Sequence, residues 1–164
     1  MEIAKAPPGR ALRAPRSHTA DGGQIMKPTL RITNATRNSI LATHANIAST
    51  PDSRKIGLIG VTPADFPPGC GLFFEECNAI HTVQMAMDID VVFIDMFKHR
   101  VQKLVSDAPP TCHFDCLIPK QLCAVLELPA GIIAISGTRV GDVIVIMSSS
   151  HCSQEELNAV GRLL

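Results

Sequence analysis

From position 28 onward the chain alternates short apolar runs with clusters of turn-forming residues. Runs of four to nine residues bounded by Gly, Pro, Asn or Asp predict strands, and they fall at 29–33, 40–48, 71–74, 79–83, 89–94, 101–105, 123–128 and 143–146. Val91-Val92-Phe93-Ile94 is apolar on both faces, as a strand covered on two sides must be, whereas 101–105 alternates as a half-exposed strand does. Asn34, Thr36, Arg37 and Asn38 are good turn formers between the first two strands. Thr50-Pro51-Asp52 supplies an N-cap, a proline at the first helical position and an early acid, which predicts one or two helical turns toward Leu58, ended by Gly57 and Gly60. At the far end Ser153 and Glu156 form a capping box, and Leu157, Val160, Leu163 and Leu164 share one stripe, predicting a C-terminal helix. Eight strands with few helices predict an all-β fold, a compact antiparallel β-sandwich or barrel.

A length of 164 residues with 46% hydrophobic and 18% charged residues suits one domain with a sizeable core. Residues 1–25 differ from the rest. They hold three prolines, three glycines and four basic residues against two acids, too little apolar surface to offset ordering entropy, so a flexible tail is expected there and translation is expected to begin at Met26. The β domain is then expected over 26–150 and the terminal helix over 151–164. No secretory apolar stretch is evident and no apolar run approaches the roughly 18 residues of a membrane span, so a cytoplasmic protein with no membrane partner is expected. Lys plus Arg and Asp plus Glu are both 15, and Trp and Tyr are absent, which removes the electrostatic and stacking grounds for a nucleic-acid partner.

The candidate chemistry is sparse. Cys112-His113-x-x-Cys116, with Cys123 nearby, has thiolate spacing suited to zinc but is only half of a tetrahedral site, and the bland reading is small buried or loop residues with free thiols. Cys77 and His81 could pair as thiol and base, yet four residues along a strand separate them by roughly 13 Å unless a turn folds them together. A structural His81 would sit neutral in or near the core. Asp88 and Asp90 share a strand face and could hold a cation or work as an acid and base, with Asp95 pointing away; as strand-end acids they could equally bind turn backbone. Glu127 stands between Leu126 and Leu128 in an apolar strand, and if it faces inward it needs a partner such as Arg54 or Arg139. Met85 reads as core or core edge. Gly137-x-x-x-Gly141-Asp142 lacks the features of a phosphate loop or dinucleotide fingerprint and reads as a turn into the last strand.

Four stretches follow one another along the chain: Thr36-Arg37-Asn38 with Ile40-Leu41-Ala42; Arg54-Lys55-x-Gly57-Leu58-Ile59-Gly60; Cys77-x-x-Ile80-His81-Thr82-x-x-Met85-x-x-x-Ile89-Asp90-Val91-Val92-Phe93-Ile94-Asp95; and Val125-Leu126-Glu127-Leu128-Pro129-Ala130-Gly131 followed by Gly137-x-x-x-Gly141-Asp142. In this order they resemble the prokaryotic domain-of-unknown-function family 192. The resemblance implies a jelly-roll-like all-β domain and no particular reaction. Three features depart from the family's pattern. Asp88 stands where a proline is usual, Met96-Phe97-Lys98-His99 lacks the usual turn glycine, and a Trp-Arg pair gives way to Pro109-Pro110-Thr111.

Together these readings point to a non-catalytic domain that binds a small ligand or a protein, as a monomer or weak dimer. Its expected site is lined by Cys77, His81, Thr82, Met85 and Asp90, with Glu127. No catalytic residue, metal or cofactor is assigned. The alternative is a small metal- or thiol-dependent enzyme using His81, Cys77 and Asp90.

Overall fold

In the computed structural model, residues 29–148 are described. Two strands, β5 (Ile89–Asp95) and β8 (Cys123–Pro129), are buried at every position, and they pair antiparallel along their whole length. Around them lie β1 (Leu30–Asn34), β2 (Ser39–Ile47), β3 (Cys70–Phe74), β6 (Arg100–Ala108) and β9 (Ile144–Ser148), in the order β6-β5-β8-β3-β2-β1-β9. The remaining strands, β4 (Ala79–His81) and β7 (His113–Asp115), form a separate two-stranded ribbon. Helix α1 (Pro51–Ile56) follows β2, and α2 (Ile132–Ser136) follows β8.

The large sheet curls until its two ends touch. Arg100 at the start of β6 bridges to Val143, the Val101 N–H donates to the Asp142 carbonyl at 2.9 Å, and the Ile144 N–H donates to the His99 carbonyl at 2.9 Å. Over the described residues the result is a strand-rich half-barrel with two short helices. Those residues form one curled sheet and a short ribbon and do not show the two stacked sheets of a jelly roll. The expected antiparallel pattern needs one correction, because β2 and β3 run parallel. The segment 48–69, with α1 in it, carries the chain back past the sheet before β3 begins, and a connection of that length permits a parallel pair where a tight hairpin does not.

Because β5 and β8 are buried on both faces, each face has its own core. On one face Phe73, Val92, Leu126 and Leu128 pack with Ile32, Leu41 and Ile144, and Ile132 and Ile133 of α2 complete that core. On the other face Phe74, Val91, Phe93 and Val125 lie beneath Leu58, Phe66, Met85 and the β4–β7 ribbon. Local chemistry sets α1. The Thr50 hydroxyl accepts from the Ser53 N–H at 3.1 Å, the Ser53 side chain returns the bond, and Gly57 leaves the helix at φ 52°. The tail expected at 1–25 and the helix expected at 151–164 lie outside the described residues.

Candidate functional site

Glu127 occupies an alternate position of β8, so it shares a face with Cys123 and Val125, opposite to Leu126 and Leu128. Its cross-strand neighbours are Leu72 of β3 and Val91 of β5, neither of which can bond a carboxyl group. The side chain is 1% exposed, and Oε2 has no hydrogen-bond partner among the described residues. Burial alone pushes its pKa up to about 8, so at neutral pH the group is a carboxylic acid that can donate a hydrogen bond.

The partners expected for it are engaged elsewhere. Arg54 donates to the carbonyls of Glu75 at 2.8 Å and Glu76 at 3.3 Å, and its guanidinium lies 5.8 Å from the centre of the Phe74 ring. Arg139 belongs to the turn whose N–H binds Asp142. Glu127 instead faces a cavity of about 180 Å³ between the sheet and its cover. Phe74, Cys77 and Met85 are the other buried lining residues, and Arg54, Lys55 and His81 stand nearer solvent. A larger open cleft, about 490 Å³, shares Arg54 but is lined by Glu75, Glu76 and Lys120 at the surface and contains no unpaired buried side-chain polar atom.

Four of the six sequence-derived candidates, Cys77, His81, Met85 and Glu127, therefore line one cavity. Thr82 and Asp90 do not. The Thr82 hydroxyl donates to the Pro109 carbonyl at 2.6 Å and accepts the Cys112 N–H at 2.9 Å, which staples the loop after β6 to the end of β4. Asp90 accepts the Asp107 N–H at 2.9 Å and the Ile133 N–H at 2.6 Å, with no exposure to solvent. Both side chains are buried themselves and are committed to backbone groups. Asp88 is exposed and its neighbour Asp90 is not, so the two make no carboxylate pair.

Cys77 and His81 are brought to the same cavity without a hydrogen bond between them. The Cys77 thiol donates to the Ala79 carbonyl at 3.2 Å, and the exposed His81 ring sits 6.0 Å from that of His113 across the ribbon. Of the zinc-spaced residues, His113 is exposed on β7 while Cys116 is buried beside Cys123. Burial first, and then the nearby Cys116 and Cys77, push the Cys123 thiol up to about 12, so it stays protonated and unreactive. Among the described residues no group of three or more His, Cys, Asp or Glu side chains could hold a metal ion. Cys70, Cys77, Cys112, Cys116 and Cys123 are free thiols.

Sequence reasoning missed the roles of Lys55 and Phe74 at the cavity and cast Arg54 as an ion-pair partner. The available signal was the capped start of α1, which places Arg54 and Lys55 in its last turn, directed at the same cover layer. The turn after Asp95, Met96-Phe97-Lys98-His99, is made without glycine. Asp95 accepts the N–H groups of Phe97 and Lys98, both at 3.0 Å, and His99 takes the left-handed conformation at φ 52°.

The chain is thus a small strand-rich domain, a half-barrel with a buried, unpaired acid beside a small cavity. The chain belongs to the DUF192 family, described as Uncharacterized ACR, which it matches over residues 32–146. Its fold is similar to that of a protein from Sinorhizobium meliloti described as a "putative transcription regulator", with 21% identity, a TM-score of 0.60, and 72% of this chain and 92% of that one covered. It is also similar to a protein of unknown function from Novosphingobium aromaticivorans, with 19% identity, a TM-score of 0.60, and 84% of this chain and 99% of that one covered. No curated protein sequence matches the chain. Among the described residues no helix is long and apolar enough to cross a membrane.

Proposed function

We propose that this protein is a binding domain that takes a small molecule into the cavity at Glu127 and holds it without chemical change. The observation that supports this reading is the unpaired Oε2 of a carboxyl group that is 1% exposed. An uncompensated buried polar group costs stability, and such a cost persists where a ligand supplies the missing partner. The inner wall sets the apolar surface of Phe74 and Met85 around one uncommitted polar group, a composition common in small-molecule pockets, with Arg54, Lys55 and His81 nearer solvent. The thiol-dependent alternative has Cys77 and His81 at the same cavity in its favour, but the thiol donates its hydrogen bond to the Ala79 carbonyl and not to a base among the described residues. In this reading the domain works in the cytoplasm, and its balanced charge fits neither nucleic acid nor an anionic membrane as partner.

The test uses the full chain labelled with ¹³C at its methionine methyl groups, the Met85 signal being identified with Met85→Leu. A mixture of small carboxylic acids, amides, amines and alcohols is added. A member that shifts the Met85 methyl in the parent and not in Glu127→Leu supports the reading. If no member shifts it, or if Glu127→Leu responds equally, the reading is wrong.

A further inference from the structure

We propose that the cavity takes a small monocarboxylate with an apolar body, whose carboxylate bonds the carboxyl group of Glu127 while the body lies against Phe74 and Met85. This rests on the cavity being a small-molecule site and names the class of ligand. The buried lining residues are Phe74, Cys77, Met85 and Glu127, and the Cys77 thiol is committed to the Ala79 carbonyl. Glu127 is therefore the one uncommitted hydrogen-bonding side chain of the inner wall, and the part of a ligand that goes deepest must bond a lone carboxyl group while the remainder meets apolar surface.

Two ligand classes satisfy a lone carboxyl group. A cation pairs with the carboxylate, and an anion accepts a proton-bearing hydrogen bond from the acid. The charges around the cavity decide between them. Arg54 and Lys55 of α1 and the imidazole of His81 on β4 line it, no second carboxyl group does, and Leu72 and Val91 beside Glu127 on β3 and β5 carry no charge. Cationic groups near the mouth attract an anion and repel an ammonium ion. An ammonium ligand would also require the ionised form of Glu127, which burial disfavours. With an anion, one proton lies between two carboxyl groups, the short charge-assisted O–H···O⁻ arrangement that is stronger than a neutral bond. At about 30 Å³ per water molecule, the cavity holds a ligand of roughly four to eight non-hydrogen atoms.

The probes are butyrate, butyramide and butylammonium, which share a body and differ in charge, read on the Met85 methyl signal of the full chain. Butyrate is expected to bind at least tenfold more tightly than either of the others at pH 6.5. Its affinity is expected to fall about tenfold per pH unit above about 8, where Glu127 ionises and repels it. Glu127→Gln keeps a donor and cannot ionise, so it is expected to retain butyrate and lose the pH dependence. Equal or tighter binding of butyramide or butylammonium overturns the carboxylate inference and leaves the cavity standing as a site. Failure of all three, with an amide, amine or alcohol of the wider mixture shifting Met85, has the same meaning, whereas a shift by another carboxylate of the mixture upholds the inference. Failure of every compound overturns the binding reading itself.

Discussion

Asn34 and Asp142, 108 residues apart in the chain, meet in a hydrogen bond of 2.9 Å that ties the end of β1 to the turn entering β9. The same Asp142 oxygen accepts from Arg37 Nε at 3.0 Å and from the Arg139 N–H at 2.9 Å. Burial acts to raise the Asp142 pKa, but the bonds from Arg37, Asn34 and the Arg139 main chain outweigh it and bring it down to about 2. A carboxyl group with a depressed folded-state pKa contributes stability that is complete above its unfolded value, about 4, and is lost as the pH falls through its folded value. The parent should therefore lose more stability than Asp142→Asn between pH 4 and pH 2. Urea unfolding of both proteins across that range measures it, and parallel curves would refute the assignment.

Glu127 has the opposite sign. Its folded pKa of about 8 lies above the unfolded value, so from about pH 4.5 to 8 the folded state holds a proton that the unfolded state has released. Stability should fall over that interval by up to about 1.4 kcal/mol per pH unit and level off above it. Glu127→Leu should lack this slope and be about 1–3 kcal/mol more stable than the parent at neutral pH. Chemical denaturation at pH 5, 7 and 9 checks both statements, and a less stable variant at pH 7 would contradict them.

Asp90→Ala leaves the buried N–H of Ile133 and the part-buried N–H of Asp107 without acceptors. The expected cost is about 3 kcal/mol, with Asp90→Asn losing less because one acceptor oxygen remains. Urea midpoints of the two variants give the comparison, and an unchanged midpoint for the alanine variant would show that those amides find other partners.

Gly71 of β3 pairs with Ala45 of β2. An added Cβ would sit 3.1 Å from the Ala45 Cβ and 3.2 Å from both the Ala42 Cβ and Leu126 Cδ1. Two of those contacts are methyl groups fixed directly to backbone and can move little. Gly71→Ala should cost about 1–3 kcal/mol through overpacking, read as a lowered thermal midpoint.

His81 and Thr82 are neighbours with different expected outcomes. The His81 ring is exposed and makes no hydrogen bond among the described residues, so His81→Ala should change stability by less than about 0.5 kcal/mol. The core position that a structural His81 would require is not where the residue lies. Thr82→Val removes the hydroxyl that serves Pro109 and Cys112 and should cost about 1–3 kcal/mol. Denaturation of the two variants side by side decides the contrast.

Much of the fold was legible from residues near one another in the chain. The two-faced apolar run at Val91-Val92-Phe93-Ile94 marked a strand covered on both sides, and β5 is such a strand. Thr50 and Pro51 marked the start of α1, because a cap is made within four residues. The polar Glu127 inside an apolar strand marked a group in need of explanation. The ribbon strand β7 was missed. It has three residues and alternates a half-buried Phe114 between exposed His113 and Asp115, too short a pattern to stand out until β4 is beside it.

The sequence by itself determined where the longer strands and the cap of α1 form, because alternation and capping are energetic consequences of adjacent residues. Only the tertiary structure decided which residues face one another. It set the parallel pairing of β2 with β3, gave Asp90 to the amides of Asp107 and Ile133, sent the Arg54 guanidinium to two carbonyls, and left Glu127 unpaired above the cavity. Those outcomes follow from strand order and sheet curl, which bring together side chains far apart in the chain. No local pattern encodes a partner whose position depends on where every other strand has packed.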